Sequence, residues 1–123
     1  MSLLGAVSFG RVIYRSLRVF ITVWVLMIVS FKDRGTEDIF DGEDSKEARK
    51  LCPINLWSVA RRKLDQLNAA TSLNDLRVPP GNRLEALQGN RAGQHSIRIN
   101  DQYRICFVWL EQGADSVEIV DDR

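Results

Sequence analysis

Gln94-His95-Ser96-Ile97-Arg98-Ile99-Asn100-Asp101-Gln102-Tyr103-Arg104-Ile105-Cys106-Phe107 alternates apolar and polar residues on either side of a short polar gap. That is the pattern of two half-buried strands joined by a turn. Ile97 and Ile99 share one face of the first strand, and Tyr103, Ile105 and Phe107 share one face of the second. A loop of odd length, Asn100-Asp101-Gln102, makes the two apolar faces coincide, with Ile97 opposite Ile105 and Arg98 opposite Arg104. An even loop would set Ile99 against Arg104, so burial selects the first register. The same register puts two arginines side by side on the exposed face. Like charges directly opposite destabilise a sheet by up to about 1 kcal/mol, and either a neighbouring carboxylate or a bound phosphate can offset that.

Working outward, Arg83 to Leu87 reads as a further strand with Arg83 and Glu85 on one face, able to join the arginine patch. Gly89 to Gly93 turns the chain, and Val117 to Val120 reads as a last strand. Pro79-Pro80-Gly81-Asn82 is a strong breaker and turn. Upstream, Ile54 to Ala70 is the clearest helix, with Leu56, Val59, Ala60, Leu64 and Leu67 on one face and Arg61, Arg62, Asp65 and Gln66 largely on the other. Ser45 to Leu51 reads as a short charged helix. Thr36 is expected to cap another that begins at Glu37, and Met27 to Phe31 is expected to be the first strand. Helices first and consecutive strands afterwards make the fold class α+β, with the N-terminal helices packed on a mostly antiparallel sheet of about four to five strands.

The chain has 123 residues, two cysteines and one histidine, with 17 basic and 16 acidic side chains. One compact domain is the default for this length, and two cysteines make no disulfide framework. A single histidine excludes paired-histidine ribonuclease chemistry, and Cys52, Cys106 and His95 lack zinc spacing. No metal and no cofactor are therefore expected. The near-zero net charge hides segregation. Between Arg77 and Arg104 lie five arginines, no lysine and only two acids, Glu85 and Asp101. Such a block fits a phosphate-binding surface; a solvated strand face held by a local Arg–Glu network around Glu85 is the competing reading. His95 is expected to be packed or at an edge, Cys106 to be a reduced filler near the exposed face, and Trp57 and Trp109 to lie in the core or at an interface.

Residues 1–26 differ from the rest, with Arg11, Arg15 and Arg18 and no acid. The apolar run from Val19 to Phe31 is shorter than the roughly 18 residues of a spanning helix, and no small-residue cleavage pattern follows it. A dispensable leader, upstream of a natural start at Met27, is the favoured reading over an export or membrane role and over a structural helix. The expected organisation is a leader at 1–26 and a single domain at 27–123, cytoplasmic and without stable membrane association.

From Met27 to Asp121, the chain resembles the HigB-type toxins of bacterial type II toxin–antitoxin systems, in the RelE/ParE superfamily. The resemblance is carried by the Met27-Ile-Val-Ser-Phe31 opening, the helix around Trp57 to Leu67, Pro79-Pro80-Gly81-Asn82-Arg83-Leu84-Glu85, the Gly93 to Phe107 stretch, and Val117-Glu-Ile-Val-Asp121. It implies a RelE/ParE-like fold and a ribosome-dependent, metal-independent messenger RNA endonuclease. In such an enzyme the 2′-hydroxyl of the RNA attacks the adjacent phosphorus and leaves a 2′,3′-cyclic phosphate. The resemblance also implies a HigA-like helix-turn-helix antitoxin as partner, with operator DNA reached only indirectly through it.

On the same basis Arg104 matches the catalytic arginine of the family, Arg83 a basic residue that holds the RNA backbone, and Glu85 a position able to accept the 2′-hydroxyl proton. Arg98, Arg91, Gln88 and Arg123 are the expected RNA-binding residues. Three positions depart from the family pattern: Gln88 stands for a common lysine, Asp122 for a tyrosine and Arg123 for a histidine. These departures define the alternatives, a catalytically degenerate toxin that still binds antitoxin and modulates operon repression, or a ParE-like gyrase inhibitor.

A shortened chain starting at Met27 is expected to melt cooperatively at the same temperature as the full chain, because the strand–helix–sheet pattern is complete without residues 1–26. Thermal melting of the two forms side by side checks this, and loss of the cooperative transition in the short form would make the leader part of the fold.

Overall fold

The computed structural model describes residues 27–122. The leader at 1–26 and the RNA-binding position Arg123 lie outside the described residues. Within them, three α-helices precede the sheet: α1 (Arg34–Asp41), α2 (Lys46–Leu51) and α3 (Trp57–Ala69). The strands β1 (Glu85–Ala86), β2 (His95–Arg98), β3 (Tyr103–Leu110) and β4 (Gly113–Asp121) form one sheet in sequential order, each pair antiparallel. The arrangement is α+β, and the helices bury their apolar sides together with one face of the sheet.

The first two helices begin where a side-chain oxygen can satisfy a free N–H. For α2 that oxygen is Ser45 Oγ, which accepts from the Ala48 N–H at 3.0 Å. For α1 the cap is Asp33 rather than Thr36, and the helix starts three residues earlier than expected: Asp33 Oδ1 accepts from the Thr36 N–H at 2.7 Å. Thr36 is instead fully buried, and its hydroxyl accepts from the Ile119 N–H at 3.1 Å. A polar residue that reads locally as a cap therefore ties α1 to the middle of β4. The stop of α1 is Gly42, in the left-handed region at φ 79°, where a residue without Cβ fits best.

The expected helix from Ile54 opens with a 3-10 turn, Ile54–Leu56, before becoming α-helical at Trp57. Of its apolar stripe, Ala60, Leu64 and Leu67 are buried, while Leu56 and Val59 pack against the core from its edge. Trp57 belongs to the core and donates from its indole N–H to the Cys52 carbonyl at 3.0 Å. Trp109 packs on the same core from β3, edge-on to Phe107.

The β2–β3 register is the one selected from the sequence: Ile97 faces Ile105 and Arg98 faces Arg104. The loop is pinned by Asn100 Oδ1, which accepts from the backbone N–H groups of Gln102 and Tyr103 at 2.9 and 2.7 Å. The expected strand from Arg83 to Leu87 shrinks to Glu85–Ala86, because Arg83 sits in the left-handed conformation at φ 47° and ends the Pro80–Asn82 3-10 turn. Conversely, β4 starts at Gly113 instead of Val117. Its register shifts by one residue between Cys106 and Val108 of β3, beside Ser116 at φ 52°. This bulge lets Ala114 and Val117 both face the core although they lie three residues apart. Simple alternation fails across it, and the first half of the strand is hidden from a period-two reading.

Met27 to Phe31 is not a regular strand. Only Phe31 bridges β4, in parallel, opposite Val117. The segment still runs beside β4, with the Val29 N–H donating to the Ala114 carbonyl at 2.7 Å and the Val117 N–H donating to the Ser30 carbonyl at 3.0 Å. Ser30 Oγ also accepts from the Ser116 N–H at the bulge, at 2.9 Å. The bulge breaks the continuous ladder that a strand needs. Gly113 is required by this packing: it has φ +127°, and a Cβ there would lie 2.1 Å from the Met27 carbonyl oxygen.

Gly113→Ala is expected to destabilise the fold by about 2–3 kcal/mol, the cost of a disfavoured φ compounded by the clash. For a domain of this size that lowers the melting midpoint by about 10 °C or more. An unchanged melt would show that the Met27 segment does not dock on Gly113.

Candidate functional site

The sheet face turned away from the helices carries the arginines, and alternation explains which residues reach it. With Ile97, Ile105, Phe107, Val117 and Ile119 in the core, Ser96, Arg98, Arg104, Cys106, Glu118 and Val120 must point outward. A depression of about 140 Å³ opens there, lined by Glu85, Leu87, Arg91, Arg104, Cys106, Val120 and Asp122.

Arg104 is at its centre and is held from three sides. Its Nε donates to Ser96 Oγ at 2.8 Å, and one Nη donates to Glu85 Oε1 at 2.9 Å and to the Arg83 carbonyl at 3.3 Å. The side chain is 16% exposed, so the guanidinium is largely covered but faces the depression. Glu85 is 54% exposed; a pair so open to water contributes at most about 1 kcal/mol, so its main effect is on orientation. Ser96 was not singled out in the sequence, yet it shares the outward face by the same alternation that selects Arg98 and Arg104.

The opposed arginines do not converge. Arg98 turns to Asp101 in the hairpin loop and pairs with its carboxylate, while Arg104 turns towards β1. Each therefore has its own acid, and the repulsion expected from the register is relieved in two directions. Arg91 stands on the far side of the depression and donates to Glu118 Oε2 at 3.0 Å and to Gln94 Oε1 at 2.9 Å. The hydrogen bond that Arg91 donates to Glu118 raises its pKa further. Glu118 faces Cys106 across the ladder and also pairs with Lys32 at 3.4 Å.

The remaining expected site residues are more peripheral. Arg83 is exposed, and among the described residues no carboxylate forms an ion pair with its side chain; its carbonyl is what reaches Arg104. It does not share a strand face with Glu85, because the left-handed turn takes it out of β1. Gln88 is exposed at the start of the Gly89–Arg91 turn and does not line the depression. His95 faces the core side and stacks on Phe107 at a ring-centroid distance of 6.3 Å, with its Nδ1 buried and unbonded.

Cys106 lies in the depression between Arg91 and Arg104. Burial pushes its thiol pKa up, against the pull of the two arginines, so it stays protonated. Burial pushes Cys52 further, to about 11. Among the described residues no three His, Cys, Asp or Glu side chains converge as metal ligands.

An outward face of fixed guanidinium groups around a small depression suits a phosphate diester better than an apolar ligand. Residues 29–122 match the family model described as RelE-like toxin of type II toxin-antitoxin system HigB. The chain belongs to the HigB-like toxin family. It is 46% identical over 85 residues to "Toxin HigB-1" of Vibrio cholerae serotype O1, an alignment that covers 69% of this chain and 86% of that protein. It is also 47% identical over 55 residues to an uncharacterized protein of Haemophilus influenzae, covering 45% of this chain and 54% of that one. This HigB-like chain is thus a toxin of a type II toxin–antitoxin system, which implies an antitoxin partner. Among the described residues no helix is long and apolar enough to cross a membrane.

Proposed function

We propose that the toxin is a ribosome-dependent, metal-independent messenger RNA endonuclease, neutralised in the cytoplasm by a HigA-like helix-turn-helix antitoxin. The observation that carries this reading is the Arg104 guanidinium, fixed by Ser96 Oγ, Glu85 and the Arg83 carbonyl at the wall of the depression. A donor already oriented needs no reorganisation when negative charge develops, which is how such groups lower a barrier.

In the proposed reaction, the 2′-hydroxyl oxygen attacks the adjacent phosphorus and its proton passes to the Glu85 carboxylate. The bond to the 5′ oxygen breaks, and that oxygen takes a proton from solvent. The products are a 2′,3′-cyclic phosphate and a 5′-hydroxyl end. Arg104 stabilises the negative charge on the phosphorane, and Arg83 holds the RNA backbone from the edge. Glu85 is half-open to water and bonded to Arg104, which leaves its second oxygen available to a substrate. The ribosome supplies the alignment of the strand.

One observation favours a second reading, a degenerate toxin that binds antitoxin and modulates operon repression without cutting RNA. Asp122 lines the depression, so a carboxylate stands where a phosphate would enter and repels it.

Arg104→Ala is expected to reduce messenger RNA cleavage about 10²–10³-fold, the usual effect of losing one transition-state donor. It leaves the buried Ser96 hydroxyl without its partner, so stability falls by about 1 kcal/mol, and antitoxin binding persists. Primer extension on a target message, with melting and pull-down on the same preparation, checks this; full cleavage by the variant would remove Arg104 from the chemistry. Asp122→Tyr combined with Arg123→His is expected to increase cleavage and growth arrest at matched protein levels. Absence of cleavage in both the natural and the double-substituted chain would favour the degenerate reading.

A further inference from the structure

A second group of cations lies where α3 meets the turn that precedes β1. Lys63, on the polar side of α3, donates from Nζ to Asn82 Oδ1. Asn82 is fully buried and donates to Gln66 Oε1 and the Leu76 carbonyl, both at 3.1 Å, which fixes the turn immediately before Arg83. The same Pro80–Asn82 turn packs against β2, which ends at Arg98. The Lys63 ammonium is thus anchored by a neutral amide. Burial, then the nearby charges of Arg62 and Arg98, lower its pKa. Arg62 is exposed, and among the described residues the one carboxylate paired with Arg98 is Asp101, whose side chain is 96% exposed. Among the described residues three cations, Lys63, Arg62 and Arg98, stand here against two exposed acids, Asp101 and, further along α3, Asp65, so the group keeps a net positive charge.

The direction of the arginines narrows the ligand. Arg98 and Arg104 start from opposed positions, but their guanidinium groups diverge, one to the hairpin loop and one to β1. They are not arranged to grip one phosphate together. A ligand that engages both must carry successive negative charges along a chain.

We propose that Lys63, Arg62 and Arg98 form a second anion subsite that takes a backbone phosphate of single-stranded RNA next to the one held at Arg104. This rests on the reading of the outward face as the RNA site. The anchored ammonium acts as a fixed point charge, and the two guanidinium groups close around the phosphate from the helix and the strand. Asp101 is displaced from Arg98 into water when the RNA arrives. Lys63 extends the RNA track from the sheet onto α3, beyond the residues that the family resemblance places there.

The probe is a fluorescent six-nucleotide 2′-O-methyl RNA, which lacks the attacking hydroxyl and so separates binding from cleavage. Its affinity for the full chain is measured by anisotropy over a salt series, for wild type, Lys63→Gln, Lys63→Arg and the control Lys50→Gln. Glutamine retains a donor for Asn82, and melting of each variant is recorded. Lys63→Gln is expected to bind severalfold more weakly, with the slope of log affinity against log salt reduced by about 0.7, the value for one lost phosphate contact on a single strand. Lys63→Arg is expected to restore both, and Lys50→Gln to match wild type. Equal affinity and slope for wild type and Lys63→Gln would overturn the subsite while leaving the endonuclease reading intact. No binding by wild type would overturn the subsite as well, and primer extension with wild type then decides the endonuclease reading separately. A Lys63-dependent slope in a chain that cuts no message would keep the subsite and overturn the endonuclease.

Discussion

The three-residue loop Asn100–Gln102 sets the register of β2 against β3, and the candidate site follows from that register. Asn100 accepts two backbone hydrogen bonds from the residues that close the loop, so the turn has one favoured geometry. Ile97 then meets Ile105 inside, and Arg98 meets Arg104 outside. A slip of one residue would exchange the faces, burying guanidinium groups and exposing isoleucines. The energy that keeps the arginines outside is therefore the burial of the opposite face, far larger than their mutual repulsion.

The helical layer stabilises the same sheet through a few polar ties rather than through packing alone. Thr36 links α1 to β4, and Asn82 links α3 to the turn that leads into β1. Both are fully buried, and both satisfy backbone or amide groups that would otherwise be costly to bury. The Met27 segment holds the bulge of β4 from the outside, through Ser30 and the close approach to Gly113. Without the bulge, Val117 and Ile119 would lose their phase with Ala114, and Glu118 would no longer stand opposite Cys106 to hold Arg91.

The outward face balances its charge in pairs. Glu85 serves Arg104, Asp101 serves Arg98, and Glu118 serves both Arg91 and Lys32. Glu85 and Asp101 are well exposed while Glu118 is largely covered. The first two pairs are therefore open to water, whereas Arg91 is held by a carboxylate that is not. The three arginines thus differ in their surroundings: Arg104 is fixed by three partners, Arg98 is paired with an exposed loop acid, and Arg91 is held by a largely covered one.

Much of this was legible in the sequence because it is local. Alternation with period two identified β2, β3 and the faces of Ile97, Arg98, Arg104 and Ile105, and the apolar spacing of α3 identified Ala60, Leu64 and Leu67. Two of the stretches that carry the family resemblance, Trp57 to Leu67 and Gly93 to Phe107, are these same ones. What the sequence could not show depends on contacts between distant segments. Thr36 reads as a helix cap until a β4 amide 83 residues away is brought to its hydroxyl. Gly113 to Ser116 reads as loop, because the bulge that makes it a strand is stabilised by Ser30. Arg83 reads as a strand residue until the Pro80–Asn82 turn forces it left-handed. The divergence of Arg98 from Arg104, and the meeting of Lys63 with Asn82, belong to tertiary structure alone: periodicity assigns a side chain to a face, but only its spatial neighbours determine which way along that face it turns.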